Sequence, residues 1–168
     1  KIKSKIKIPL VADIHFDYRL AVLSAKNGAD KIRINPGNIG GDDNVKAVVE
    51  ACRERKIPIR IGVNSGSLPK SVIEKYPHPC PEAFIMAAEY HIGLLNKFDF
   101  NDIAISLKSS SVPLTVAAYR AFHKKYSYPL HVGVTEAGCE YDGIIKSAAG
   151  IGALLIDGIG DTIRISLT

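Results

Sequence analysis

Six short β-branched runs recur along the chain: Pro9 to Ala12, Lys31 to Ile34, Pro58 to Val63, Ile103 to Leu107, Leu130 to Val134 and Thr162 to Leu167. Between them lie stretches of helical period, Tyr18 to Asn27, Asp43 to Lys56, Pro81 to Lys97, Val112 to Tyr126 and Gly143 to Ile156. Strand–helix alternation predicts parallel pairing, because successive parallel strands need a long crossover and a helix supplies it. Runs such as Ile57-Pro58-Ile59-Arg60-Ile61 are apolar enough for strands covered on both faces. The expected class is α/β.

Unit length narrows the class further. A (β/α)8 barrel takes roughly 31 residues per unit, so the 168 residues hold little more than five units. The expectation is a partial (β/α)8 TIM barrel of about six parallel βα units over residues 1–168, missing the first strands. On its own such a segment is expected to leave two parallel strand edges unpaired, to be poorly soluble and to be inactive. An open doubly wound sheet is the alternative, and it calls for a glycine-rich phosphate loop after the first strand. That loop here reads Asp13-Ile14-His15-Phe16-Asp17, without glycine. The longest connection, Asn64 to Pro81, is rich in Ser, Gly and Pro and is read as a functional loop.

Composition closes off several function classes. With 46% hydrophobic and 23% charged residues the chain is not disordered, and no apolar run approaches the length of a membrane span. The opening residues do not resemble a signal peptide, so a cytoplasmic location is expected. Cys52, Cys80 and Cys139 are widely spaced and form no C-x-x-C, which argues against a disulfide framework or a zinc site; no metal site is expected in this chain. A net charge of +5 is mild. It is read as serving a small anion, with neither nucleic acid nor membrane as partner, and the lysines of Lys1 to Lys7 as a solvated segment.

The polar residues fall at the carboxyl ends of the strands. Asp13 and His15, Arg33 and Asn35, Ser106 and Lys108, and Arg164 and Ser166 are each two apart, a spacing that puts both side chains on one face of a strand. Arg60 and Asn64 share that parity, and the fifth strand runs into Thr135-Glu136. In a barrel this is the rim where active sites are built. Arg33, Arg60, Lys108 and Arg164 held in one partly desolvated mouth repel each other unless a polyanion neutralises them, which points to a phosphate or diphosphate. The glycine-rich turns Asn35-Pro36-Gly37-Asn38-Ile39-Gly40-Gly41 and Asn64-Ser65-Gly66-Ser67 can bring backbone N–H groups close to an anion, or simply make tight turns. His15 is read as a hydrogen-bonding group, since Asp13 and His15 lack a third ligand for a metal. His78, His91, His123 and His131 are assigned no function.

Pro9-Leu10-Val11-Ala12-Asp13-Ile14-His15-Phe16-Asp17, Ile32-Arg33-Ile34-Asn35-Pro36-Gly37-Asn38-Ile39-Gly40, the run Ile57 to Leu68, Val134-Thr135-Glu136-Ala137-Gly138 and the tail Gly158 to Leu167 closely resemble the 4-hydroxy-3-methylbut-2-en-1-yl diphosphate synthase family. These blocks stand in family order over nearly the whole chain. The resemblance implies an N-terminal TIM barrel and a C-terminal [4Fe-4S] domain, the latter expected to lie outside this chain. It also implies an iron–sulfur oxidoreductase of isoprenoid-precursor biosynthesis. That enzyme reductively opens 2-C-methyl-D-erythritol 2,4-cyclodiphosphate with loss of water, taking two electrons from flavodoxin or ferredoxin. The family's cluster ligands are three cysteines and a glutamate of the later domain, and Cys139, which follows Glu136-Ala137-Gly138, is not carried over as one. The family also has a further substrate-binding arginine in strands expected to be missing here.

By this resemblance Arg33, Arg60, Lys108 and Arg164 clamp the diphosphate with help from Asn35, Asn64 and Ser166. Glu136 handles protons near the opening ring, and Asp13 and His15 orient polar groups. A homodimer is implied, in a bacterial cytoplasm or a plastid stroma. The rival readings are a barrel resembling dihydropteroate synthase, with a diphosphate leaving group and no redox centre, and a non-catalytic phospholigand-binding module.

Overall fold

A computed structural model describes residues 1–167. Its strands are β1 (Val11–Asp13), β2 (Lys31–Ile34), β3 (Ile59–Asn64), β4 (Ile103–Lys108), β5 (His131–Val132) and β6 (Thr162–Ile163). Its α-helices are α1 (Tyr18–Lys26), α2 (Asp42–Arg55), α3 (Lys70–Lys75), α4 (Pro81–Asn96), α5 (Val112–Lys125) and α6 (Glu140–Ile156). The chain divides into two compact units, Lys1–Ile61 with Tyr90–Ala104, and Gly62–Glu89 with Ile105–Thr168.

In the first unit β1, β2 and β3 are neighbours in that order, and the β1–β2 and β2–β3 pairs are parallel. The register sets Asp13 opposite Arg33 and Arg33 opposite Arg60. Alternation then sends Ile32, Ile34, Ile59 and Ile61 to the other face, where each is fully buried. Helix α1 packs on α2. On α2 the buried Val45, Val48, Val49 and Cys52 follow the three- and four-residue spacing of a helix stripe. Asp42 and Asp43 in its first turn and Arg53 and Arg55 in its last suit the helix dipole, and Lys56 closes it in the left-handed conformation. Burying each such aliphatic side chain contributes about 1.5–3 kcal/mol.

The second unit is built on β4, β5 and β6. Ile105 bridges to Leu130 in parallel, and His131 and Val132 pair with Thr162 and Ile163. Helix α5 packs on α6 and buries Thr115, Val116, Ala118, Tyr119 and Phe122. Ser111 caps α5 by accepting from Leu114 N at 3.4 Å.

The α/β class and the parallel barrel segment stand, with local corrections. The fifth strand is His131–Val132 rather than Leu130 to Val134, because its partner β6 is only two residues long and Leu130 meets β4 in an isolated bridge. The sixth is Thr162–Ile163 rather than Thr162 to Leu167; past it, Arg164 N still bonds to Val132 O at 3.0 Å, and the tail then leaves the sheet. The connection Asn64 to Pro81 is not a plain loop, for it holds a 3-10 turn at Ser65–Ser67 and α3, anchored by the fully buried Val72. Helix α6 starts at Glu140 instead of Gly143, with Glu140 and Asp142 in its first turn and Cys139 at its cap. Lys1 to Lys7 is not wholly solvated either, since Lys3 pairs with Asp30 and residues Lys3–Lys5 make a 3-10 turn.

Candidate active site

In the first unit a row of charge crosses three adjacent strands. Arg33 Nη1 donates to Asp13 Oδ1 at 2.9 Å and lies 3.4 Å from His15 Nδ1, and His15 Nε2 stands 3.6 Å from the same carboxylate oxygen. His15 falls just beyond β1 yet reaches the carboxylate, as its two-residue spacing from Asp13 predicts. The Arg33 side chain is 10% exposed against 43% for Asp13, so the guanidinium is the buried partner. Arg60 is its register neighbour on β3, half-buried. Neighbouring strands lie about 4.8 Å apart, and like charges side by side across them repel. Asp13 pairs with the Arg33 guanidinium, and the three side chains together are positive in formal charge.

Asn35 follows β2 and opens the 3-10 turn Pro36–Asn38. It is 4% exposed, and its Oδ1 accepts no hydrogen bond from the protein. Beneath this turn lies His91 of α4, 1% exposed, with no protein partner at either ring nitrogen. A Cβ at Gly37 would stand 2.9 Å from His91 Cε1, so the turn can sit on the imidazole only with glycine there. Burial pushes the His91 pKa down from the ordinary 6.5 to about 4, which keeps the ring neutral. Sequence reasoning assigned His91 no function. The signal was its place among Ala87, Ala88, Ile92 and Leu95 on the buried stripe of an apolar helix.

The second unit brings other predicted residues to the ends of its strands. Ser106 and Lys108 alternate with Ile105 and Leu107 on β4, and Lys108 is only 6% exposed. Thr135 N bonds to Ser109 O at 3.2 Å, which ties the segment carrying Glu136 to the residue after Lys108. Glu136 is exposed and adopts φ 48°, a left-handed conformation that costs a non-glycine residue about 1 kcal/mol or more. Arg164 is exposed beside β5; a Cβ at Gly133 would meet its carbonyl oxygen at 2.4 Å, so glycine lets the two segments approach. Ser166 lies beyond the end of β6, where strand parity no longer relates it to Arg164. Asn64, half-buried, ends β3 and begins the turn Ser65–Ser67.

Among the described residues no group of three or more His, Cys, Asp or Glu is placed to hold a metal ion. Cys52 is buried within α2, and burial pushes its thiol up to about 12. The described residues therefore do not fit an iron–sulfur cluster. A groove of about 630 Å3 in the first unit runs along β1 and α1 between Ile2, Leu10, Val11 and Leu23. It is mainly apolar and lacks the charged row.

The family model of the GcpE TIM-barrel domain matches residues 1–168. Over 168 residues the chain is 65% identical to the 4-hydroxy-3-methylbut-2-en-1-yl diphosphate synthase (flavodoxin) of Fusobacterium nucleatum, covering 100% of this chain and 48% of that protein. To the protein of the same name from Ruminiclostridium cellulolyticum it is 62% identical, with the same 100% and 48% coverage. The chain thus spans about half the length of the curated relatives it matches. Among solved structures it is similar to a type I 3-dehydroquinate dehydratase from Clostridium difficile, with TM-score 0.61, 14% identity and coverage of 99% of this chain and 62% of that one. A dihydropteroate synthase from Stenotrophomonas maltophilia gives TM-score 0.60 at 13% identity, covering 96% and 64%. At such identities the likeness is one of fold alone.

Proposed function

Since this chain belongs to the GcpE TIM-barrel family, we propose that it is the substrate-binding segment of an enzyme of isoprenoid-precursor biosynthesis. The enzyme converts 2-C-methyl-D-erythritol 2,4-cyclodiphosphate to 4-hydroxy-3-methylbut-2-enyl diphosphate. The observation that carries the reading is the row Asp13, Arg33, Arg60, in register across β1, β2 and β3. Two arginines in register on neighbouring strands, one of them paired with a carboxylate, favour a doubly charged, oxygen-rich ligand, for which their planar forks are matched. Dihydropteroate synthase shares only the fold, whereas the 65% identity over the whole chain supports the reductive reading.

Arg33, Arg60, Lys108 and Arg164 bind diphosphate oxygens, and Asn35, Asn64 and Ser166 supply neutral hydrogen bonds. The buried Asn35 Oδ1 is an acceptor ready for a ligand hydroxyl. Asp13 holds Arg33 in place and gives way in part when the anion arrives, and His15 orients the same carboxylate. The reaction takes up two electrons and releases one water, so a hydroxyl must gain a proton as it leaves. Glu136 supplies proton transfer at that hydroxyl. Its strained, exposed backbone position is the kind of outlier found where geometry serves chemistry. We assign flavodoxin as the electron donor, the cytoplasm as the location and a homodimer as the assembly; a [4Fe-4S] group would supply the electron chemistry, and the described residues would not hold it. The test is an anaerobic assay of the complete, cluster-loaded protein with reduced flavodoxin and the cyclodiphosphate. Formation of the linear diphosphate supports the reading; a loaded protein that binds the cyclodiphosphate no better than inorganic phosphate and leaves it unreduced overturns it.

A further inference from the structure

Between β4 and β5 the backbone ladder is cut short. Ile105 N donates to Pro129 O at 2.8 Å, and two residues further along a side chain takes the place of the next rung. The hydroxyl of Tyr119, fully buried on α5, accepts from Leu107 N at 2.9 Å and donates to His131 O at 2.7 Å. The strands are joined there through a phenol oxygen. A path of two hydrogen bonds is longer than one direct bond of about 2.9 Å, so this hydroxyl sets the separation of the strands as well as linking them.

Thr115 lies one turn earlier, four residues away and thus on the same face of α5. Its Oγ1 accepts from Ser109 N at 3.2 Å and donates to Ser109 O at 3.1 Å. That carbonyl also accepts from Thr135 N at 3.2 Å. Lys108 is therefore flanked by Leu107, held by Tyr119, and Ser109, held by Thr115. Glu136 follows Thr135, which hangs from the same carbonyl. The anion-binding lysine and the proton-transferring glutamate are referenced to one pair of buried hydroxyls.

We propose that Tyr119 and Thr115 are positioning residues that fix the spacing of the β4 and β5 ends, and with it the placement of Lys108 relative to Glu136. The inference rests on the functional reading above, in which Lys108 binds diphosphate and Glu136 moves a proton. Neither hydroxyl touches substrate. A tyrosine that only satisfied buried backbone groups would cost stability when truncated, but would leave the pH profile and the ratio of kcat to KM effects in the folded protein unchanged.

The experiment compares the complete, cluster-loaded enzyme with Tyr119→Phe, Thr115→Val and Thr115→Ser, with rates per folded molecule at several pH values. Tyr119→Phe is expected to lower kcat ~10- to 100-fold, the scale of a sub-ångström to 1 Å misplacement, with a smaller change in KM and a displaced acid limb of the kcat profile. Thr115→Val lowers kcat in the same direction, and Thr115→Ser, which keeps the hydroxyl, restores it. Parental kcat and pH profile in Tyr119→Phe overturn the proposal. Should Tyr119→Phe not fold, the Thr115 pair decides: equal rates for Val and Ser overturn it, and rescue by Ser alone supports it. A parent enzyme that leaves the cyclodiphosphate unreduced contradicts the functional reading itself, whereas an active parent with unchanged variants contradicts only the positioning role.

Discussion

Asp13 Oδ1 accepts from Arg33 Nη1 at 2.9 Å across the register pair joining β1 to β2, and Arg33 stands in register with Arg60 on β3. The carboxylate is the more exposed partner and the guanidinium the more buried. An anion approaching from solvent would therefore meet a cation already desolvated, with its counter-ion as the exposed partner.

Removing that counter-ion isolates its effect. Asp13→Asn leaves a buried guanidinium undercompensated, at a cost of about 1–2 kcal/mol once the partial exposure of Asp13 is allowed for. Thermal melts should show a lower midpoint for the variant alone, and a larger rise on adding the cyclodiphosphate than the parent shows. Equal midpoints without ligand would remove Asp13 from the role of counter-ion.

Arg60→Ala and Arg164→Ala each delete one charged donor, so each should weaken cyclodiphosphate binding by roughly 1.5–3 kcal/mol. Calorimetric titration reads this directly. Parental affinity in either variant excludes that side chain from the clamp.

His91 predicts an acid sensitivity. Its pKa is about 4 in the fold against an ordinary 6.5, so the unfolded chain binds a proton the native state refuses. The stability it permits is whole above about pH 6.5 and is lost as pH falls towards 4, amounting to about 2 kcal/mol between pH 7 and 4.5. Urea midpoints at those two pH values should differ less in His91→Leu than in the parent. A parent and variant with the same pH slope would mean the imidazole is already protonated in the fold.

The thiols should divide by burial. Cys52 is fully buried with its thiol pushed up to about 12, while Cys139 is exposed. Iodoacetamide at pH 8, followed by peptide mass analysis, should label Cys139 in the native protein and Cys52 only after denaturation. Native labelling of Cys52 at the rate of Cys139 would show that α2 opens readily.

Much of this arrangement was legible in the residues. Lys31–Ile34 coincides with its predicted run, and α1, α2, α4 and α5 end within a residue of their predicted bounds, because apolar period and caps agree there. The two-residue spacing of Asp13 and His15 did foretell a shared neighbourhood. What escaped were tertiary effects. The joining of β4 to β5 through a tyrosine hydroxyl arriving from α5 is one, and no local pattern in Leu130 to Val134 encodes it. Helix α3 is six residues long and hangs on Val72, too short for a periodic signal. The role of His91 becomes visible only once Gly37 is seen resting on its ring.

In the proposed function the strand ends bind the cyclic diphosphate while Glu136 moves a proton at the opening ring, and Glu136→Gln in the complete, cluster-loaded enzyme separates the two. Glutamine keeps shape and hydrogen bonding but cannot exchange a proton. Turnover with reduced flavodoxin should fall by about 10²-fold or more, with cyclodiphosphate affinity nearly unchanged. Turnover within a few-fold of the parent at saturating substrate would contradict it.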